Sequence, residues 1–458
     1  MPTRATTSEP STRIRAGDVN PLHRAPRVWT AAAMILIGAA AATLIIADQR
    51  RDDTSPHPKT SAESREEAAD PCEQLSRRIE ACRFVTIDDT TRRYALIRRK
   101  DAVSTTIVDI GGPGIAALAS SYPKRIIQAV PADQNVLVLD EPWTTADVPG
   151  ECATNLSDWY TALRDRSSFT RPTAVQLSAT DLALAGIAEA CDLASSKAKW
   201  GFTAQSYRTL IERIEDEESI EVDSFWGLSF GSVRLRYAGD RVESALLGSP
   251  FPDGIDAETF LRARSQVQAR VDVPDLRGAA VRGRSLPLTS LDLDAAASQA
   301  LYLAPQDRAA LFAGARSDVA KIIGRLSDQL YGRFGTSSIS PAILAFWQES
   351  CAAVIGWHNV PTARFTANSF TELFRMCPLL ERQADEDVAD VERIRNLGGV
   401  VRCVGIVRGD AITPSQAVND YLSRAGLTSD VVVDGPHAAD KTLESCRRVV
   451  GLSAVNES

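Results

Sequence analysis

A mainly parallel α/β sheet interrupted by a large helical insertion is the fold class this chain predicts, and three observations predict it. Between 83 and 252, short β-rich runs alternate with helical stretches, as in strands joined by crossover helices. The run Asn135-Val136-Leu137-Val138-Leu139-Asp140 is apolar almost throughout, the mark of a strand buried on both faces. From about 253 to 396 the alternation gives way to helical strings such as Asp307-Arg308-Ala309-Ala310-Leu311-Phe312, and it resumes afterwards.

Of the 458 residues, the first 70 stand apart from that globule. Residues 28–47 are uncharged and apolar or small, long enough to cross a bilayer as one helix. Arg13, Arg15, Arg24 and Arg27 precede them, so the positive-inside rule leaves 1–27 in the cytoplasm and exports the rest. The apolar run continues through Thr43-Leu44-Ile45-Ile46. This favours an uncleaved transmembrane signal anchor, with a cleaved signal peptide and secretion as the alternative. Residues 48–70 are rich in Asp, Glu, Arg, Ser and Pro and read as a disordered stalk. The expected location is the cell membrane, with the folded part extracellular.

The eight cysteines, Cys72, Cys82, Cys152, Cys191, Cys351, Cys377, Cys403 and Cys446, all follow the apolar segment. After export an even number implies up to four disulfides rather than a metal site. The sequence leaves the connectivity open. Proximity favours 72–82, 152–191, 351–377 and 403–446, while Cys403, in a strand, could instead be a buried thiol. The net charge of −8 and the lack of a basic block in the folded part exclude nucleic acid as a partner.

Along the folded part, 83–88 and 92–99 read as a hairpin and 105–110 as a strand that runs into Gly111-Gly112-Pro113-Gly114. Residues 150–200 are helical, 203–217 form an amphipathic helix, and 220–225 and 242–247 are strands. Beyond the insertion come a strand at 399–407 and a helix with Thr413 as N-cap and Pro414 at its first position. A strand at 430–433 and a helix at 441–449 end the fold. The expected organisation is a core at 71–252 and 397–458 around a helical lid at 253–396.

The chemistry centres on Gly227-Leu228-Ser229-Phe230-Gly231. A G-x-S-x-G between a strand and a helix forms a nucleophile elbow, a tight turn that lifts a serine hydroxyl above the sheet. Serine needs a base, usually a histidine oriented by a carboxylate. Of the four histidines, His23 precedes the apolar segment and His57 lies in the stalk. His358 falls in the lid, where a packing or substrate-contact role is expected. His437, in a loop after the last strand, is the candidate base. Asp410, after the preceding strand, is the candidate acid, in the order Ser…Asp…His; Asp434 and Asp440 lie too close to His437 for that order. The N–H groups of Phe230 and Gly112 are the candidate oxyanion donors. Gly111-Gly112-Pro113-Gly114 lacks the lysine of a phosphate-binding loop, no H-E-x-x-H is present, and the sequence asks for no metal and no cofactor.

Ile110-Gly111-Gly112-Pro113-Gly114, Gly227-Leu228-Ser229-Phe230-Gly231-Ser232, Asp410-Ala411-Ile412-Thr413-Pro414 and His437 occur in this order. In these motifs the chain resembles the tripeptidyl-aminopeptidase branch of the proline iminopeptidase-like α/β-hydrolases, exported serine exopeptidases of actinobacteria. The resemblance runs from about residue 71 to the C-terminus. It implies an α/β-hydrolase fold and the release of short peptides from a free N-terminus through an acyl-enzyme. The family's D-x-R-G after the fourth strand is here Asp140-Glu141-Pro142-Trp143. Its acidic residue after the first lid cysteine is missing from Cys351-Ala352-Ala353-Val354. Glu349 or Glu141 is then the expected partner of a substrate's α-ammonium. An ester- or lipid-cleaving hydrolase and a catalytically silent binding scaffold are the alternatives.

Overall fold

A computed structural model describes residue 72 and residues 82–452, apart from 88–89, 120–121, 165–172, 194–198, 283, 285, 333–338, 382–396, 436 and 438. The cytoplasmic, membrane-spanning and stalk segments expected at 1–70 lie outside the described residues. Among those described, no helix is long and apolar enough to cross a membrane.

The strands are β1 (Arg83–Ile87), β2 (Thr90–Ile97), β3 (Ser104–Asp109), β4 (Gln134–Leu139), β5 (Val222–Leu228), β6 (Ser244–Gly248), β7 (Ile255–Asp256), β8 (Val354–Ile355), β9 (Val401–Arg408) and β10 (Val431–Asp434). Eight of them form one sheet in the order β1-β2-β4-β3-β5-β6-β9-β10. β2 runs antiparallel to β1 and β4, and every pairing from β4 to β10 is parallel. This is the strand order of the α/β-hydrolase fold.

The helices in chain order are α1 (Tyr122–Ala129), α2 (Gly150–Arg164), α3 (Ala174–Ala190), α4 (Ala204–Glu218), α5 (Gly231–Ala238), α6 (Ala257–Gln268), α7 (Ser290–Ala300), α8 (Pro305–Phe312), α9 (Arg316–Leu330), α10 (Ala342–Ala353), α11 (Ser415–Arg424) and α12 (Ala439–Val449), besides short turns between Thr362 and Glu381. The two-residue side-chain period of a strand divides the core into two layers. Leu137, Ile107, Phe225 and Leu247 face α4, α5 and α11 through residues such as Ile211, Val233 and Tyr421. Val136, Val108, Trp226, Leu246 and Cys403 face Ile126 and Ile127 of α1 and Leu443 and Cys446 of α12.

The lid has its own core around Trp347, Trp357 and Phe374, and Trp159 of α2 and Leu184 of α3 belong to it. The helices at 150–190 therefore pack with the insertion at 253–396. A short parallel pair, β7–β8, lies within that insertion; two residues are too few to leave a periodic signal. α11 starts at Ser415 with Pro414 at its N-cap position and no side-chain cap. Thr413 does not cap it as expected, because its hydroxyl donates to Asp410 instead, at 2.7 Å.

All eight cysteines are paired, 72–82, 152–191, 351–377 and 403–446, so Cys403 is no free thiol. The last disulfide joins β9, which leads to Asp410, to α12, which follows His437. With a sequence separation of 43 between the cysteines, loop-closure entropy assigns it about 4 kcal/mol. Replacing both Cys403 and Cys446 with serine should lower the unfolding free energy of the full chain by roughly that amount. Urea unfolding monitored by tryptophan fluorescence checks this, and an unchanged midpoint would refute it.

Candidate active site

Ser229 occupies a single sharp turn between β5 and α5, with φ at +48°. β5 runs to Leu228, beyond the apolar run at 220–225, because Gly227 pairs with Asp109 of β3 and Leu228 with Gly248 of β6. A side chain in the left-handed region is strained, and here the surroundings impose it. The Ser229 N–H donates to Gly248 O at 2.9 Å. Its carbonyl accepts from the N–H groups of Ser232 and Phe251 at 3.1 and 3.0 Å and from the Ser232 hydroxyl at 2.7 Å. Gly231 has to be glycine, since a Cβ there would lie 2.5 Å from Asp109 O.

The loop Gly111-Gly112-Pro113-Gly114 lies directly against this elbow. A Cβ at Gly111, whose φ is +64°, would come within 2.2 Å of Leu228 O, 2.4 Å of Gly231 N and 2.7 Å of Phe230 N. The absent side chain is therefore what lets the loop reach the elbow. The N–H groups of Gly112 and Phe230 donate to no described residue, which leaves both available to a ligand oxyanion.

Asp410 follows β9 and is buried, as is His437. His437 Nδ1 lies 2.7 Å from Asp410 Oδ2. The other Asp410 oxygen accepts from the N–H groups of Ile412 and Thr413 at 2.7 and 3.1 Å. Burial pulls the Asp410 carboxyl upward, but His437 and the surrounding donors outweigh it and hold the group below its usual range. An ionised Asp410 accepting from Nδ1–H leaves Nε2 as the proton-exchanging nitrogen.

The rival residues lie elsewhere. Asp434 is exposed and pairs with Arg408, Asp440 in the first turn of α12 pairs with Arg125, and His358 is exposed on a turn. Glu349 and Glu141, expected to face a substrate ammonium, are instead buried on Arg234, which takes both carboxylates.

Two lid residues that the sequence did not single out touch the site. Tyr302 sets its ring edge-on to the His437 imidazole, with centroids 6.1 Å apart. Arg264 of α6 is buried and donates from Nη1 to Ala411 O at 2.6 Å, tying the lid to the acid loop. Neither carries a local motif. The one cue was that Arg264 shares a helical face with Ala257, Phe260 and Leu261.

A cleft of about 490 Å³, counted to its open mouth, adjoins these residues. Pro113 of the Gly111–Gly114 loop and Tyr302 line it, with Ile343, Phe346, Phe370 and Leu373 from the lid. Its described lining contains no charged side chain.

The fold is of α/β-hydrolase architecture, with an Asp410–His437 pair and an elbow serine against which the Gly111–Gly114 loop packs. No protein-family model and no curated protein matches the chain. Solved structures similar to it include an α/β-hydrolase enzyme from a Medee basin deep-sea metagenome library, at 11% identity and a TM-score of 0.38, covering 82% of this chain and 100% of the other. Carboxylesterase CesB from Bacillus subtilis is similar at 12% identity and a TM-score of 0.35, covering 83% and 94%. A bromoperoxidase from Bacillus anthracis is similar at 10% identity and a TM-score of 0.36, covering 81% and 98%.

Proposed function

We propose that the chain is an exported serine hydrolase that transfers an acyl group to Ser229 and then to water. The observation that carries this reading is the buried Asp410–His437 pair at the same sheet edge as a strained elbow serine with two free N–H groups beside it. Ser229 Oγ attacks the carbonyl carbon as its proton passes to His437 Nε2, and the oxyanion forms between the Gly112 and Phe230 N–H groups. Collapse breaks the bond to the leaving alcohol or amine, which takes that proton. Water, deprotonated by His437, then attacks the ester, and Ser229 leaves with the proton as the carboxylic acid is released.

For the substrate, the uncharged lining of the cleft favours a neutral, largely apolar acyl group, carried as an ester or an N-blocked amide. The exopeptidase reading that the motif order implies needs a carboxylate for the substrate's ammonium, and Glu349 and Glu141 are both committed to Arg234. Four disulfides support an oxidising, extracellular location, with residues 28–47 as the tether.

The test compares the full chain in detergent on short-chain 4-nitrophenyl esters, on peptide anilides with a free N-terminus and on the same anilides acetylated. Hydrolysis of the esters and acetylated anilides over the free-amine set is expected. Turnover confined to the free-amine set would establish the exopeptidase instead, and turnover of none would favour the silent scaffold.

A further inference from the structure

One buried cluster beside the oxyanion loop takes no part in proton transfer. At its centre is Arg234 of α5, 4% exposed. Its Nε donates to Glu349 Oε2 at 2.8 Å and its Nη2 to Glu349 Oε1 at 2.9 Å, a two-pronged contact with lid helix α10. Nη2 also donates to Glu141 Oε1, beyond β4. Nη1 reaches Asp109 Oδ1 and Oδ2 at 3.3 and 3.5 Å. Asp109 Oδ1 accepts the Gly111 N–H at 2.9 Å, and its Oδ2 accepts the Tyr207 hydroxyl at 2.8 Å. The guanidinium carbon also sits 4.9 Å from the Phe202 ring centroid and 5.9 Å from that of Phe230. Arg234 therefore touches both sides of the oxyanion hole, through Asp109 to the Gly111–Gly112 backbone and directly to the residue that supplies the other N–H.

We propose that Arg234 and Glu349 are positioning residues for the oxyanion hole, and that through them lid helix α10 holds the Gly111–Gly112 loop in register with the elbow. The inference rests on the hydrolase reading above. α10 also supplies Ala342, Ile343 and Phe346 to the cleft wall. Gly114 presses on the same helix, since a Cβ there would lie 2.4 Å from Ala342 O. The wall that receives the acyl group and the loop that stabilises its oxyanion are thus built on one rigid junction. Three carboxylates share one guanidinium. Burial pushes Glu141 well above its usual range, Arg234 opposes this, and Glu349 and Asp109 add to it. Arg234 suits such a junction because its planar fork satisfies several carboxylates in fixed directions. A lysine could not.

The test measures inactivation of the full chain in detergent by an alkyl fluorophosphonate, whose phosphoryl oxygen occupies the oxyanion position as Ser229 displaces fluoride. Glu349→Gln places an amide N–H against the donors of Arg234, and Tyr207→Phe removes one donor from Asp109 while keeping the ring. Since a misplacement of about 1 Å costs on the order of 100-fold, Glu349→Gln is expected to lower kinact by about 10- to 100-fold. Tyr207→Phe should lower it by about 3- to 10-fold, with KI held within about threefold for both variants. A folded Glu349→Gln protein with wild-type kinact, or one in which KI alone rises, overturns the proposal. If that variant fails to fold, Tyr207→Phe decides, and wild-type kinact there overturns it. Failure of the wild-type chain itself to react would instead remove the hydrolase reading, and this inference with it.

Discussion

Substituting alanine for Ser229 is expected to lower kcat on a 4-nitrophenyl ester by about 10⁶-fold, the size of effect seen when a triad nucleophile is removed. The loss is this large because the reaction passes through a bond to the Ser229 oxygen, which alanine lacks. Stability should change little, since Ser229 is held through its backbone, at Gly248, Ser232 and Phe251, and its side chain is partly exposed. Initial rates at matched concentration, with a thermal melt of each protein, make the comparison. A variant within about tenfold of wild type would place the nucleophile elsewhere.

Asp410→Asn carries the second largest expectation, a fall of about 10⁴-fold in kcat. An asparagine amide would favour the wrong imidazole tautomer, with Nδ1 as acceptor and Nε2 no longer able to take the serine proton. The same change alters the pH dependence of folding. Asp410 is held below its usual range in the folded state, by His437 and its hydrogen bonds against the pull of burial. Its contribution to stability is therefore present above the unfolded carboxylate value of about 3.9 and is lost as pH falls through the lower folded value. Urea unfolding should show Asp410→Asn less stable than wild type at neutral pH, with the gap narrowing as pH falls below the unfolded carboxylate value of about 3.9. A gap that widens on acidification would contradict the assignment.

The sheet was legible because its central strands, such as β4 and β5, bury runs of Val, Leu or Phe and end in a glycine-rich or polar turn. The candidate triad could be named for a different reason. Ser229, Asp410 and His437 all sit immediately beyond strands, where a loop residue has a position the fold prescribes. Thr413 misled because a threonine before Pro414 has the form of a helix cap, while in three dimensions Asp410 competes for its hydroxyl and wins. Glu349 and Glu141 misled similarly. Their carboxylates suggested a ligand for a free amine, but the cation that takes them is Arg234, distant in sequence from both. Arg234 itself was the available signal, a charged residue in α5, where every side chain but one is buried. Such a residue must find counter-charges in space, and no local pattern names them. The lid's contributions, Tyr302 on His437 and Arg264 on Ala411, were illegible for the same reason.

The most direct measurement is mass spectrometry of the full chain after treatment with an alkyl fluorophosphonate, with peptide mapping of the adduct. If Ser229 is a nucleophile activated by His437 and Asp410, wild type gains a single phosphonyl group on the peptide that contains Ser229. Ser229→Ala then gains none, and Asp410→Asn reacts far more slowly. An unlabelled wild-type chain, or an adduct on any other residue, would contradict the assignment of this site.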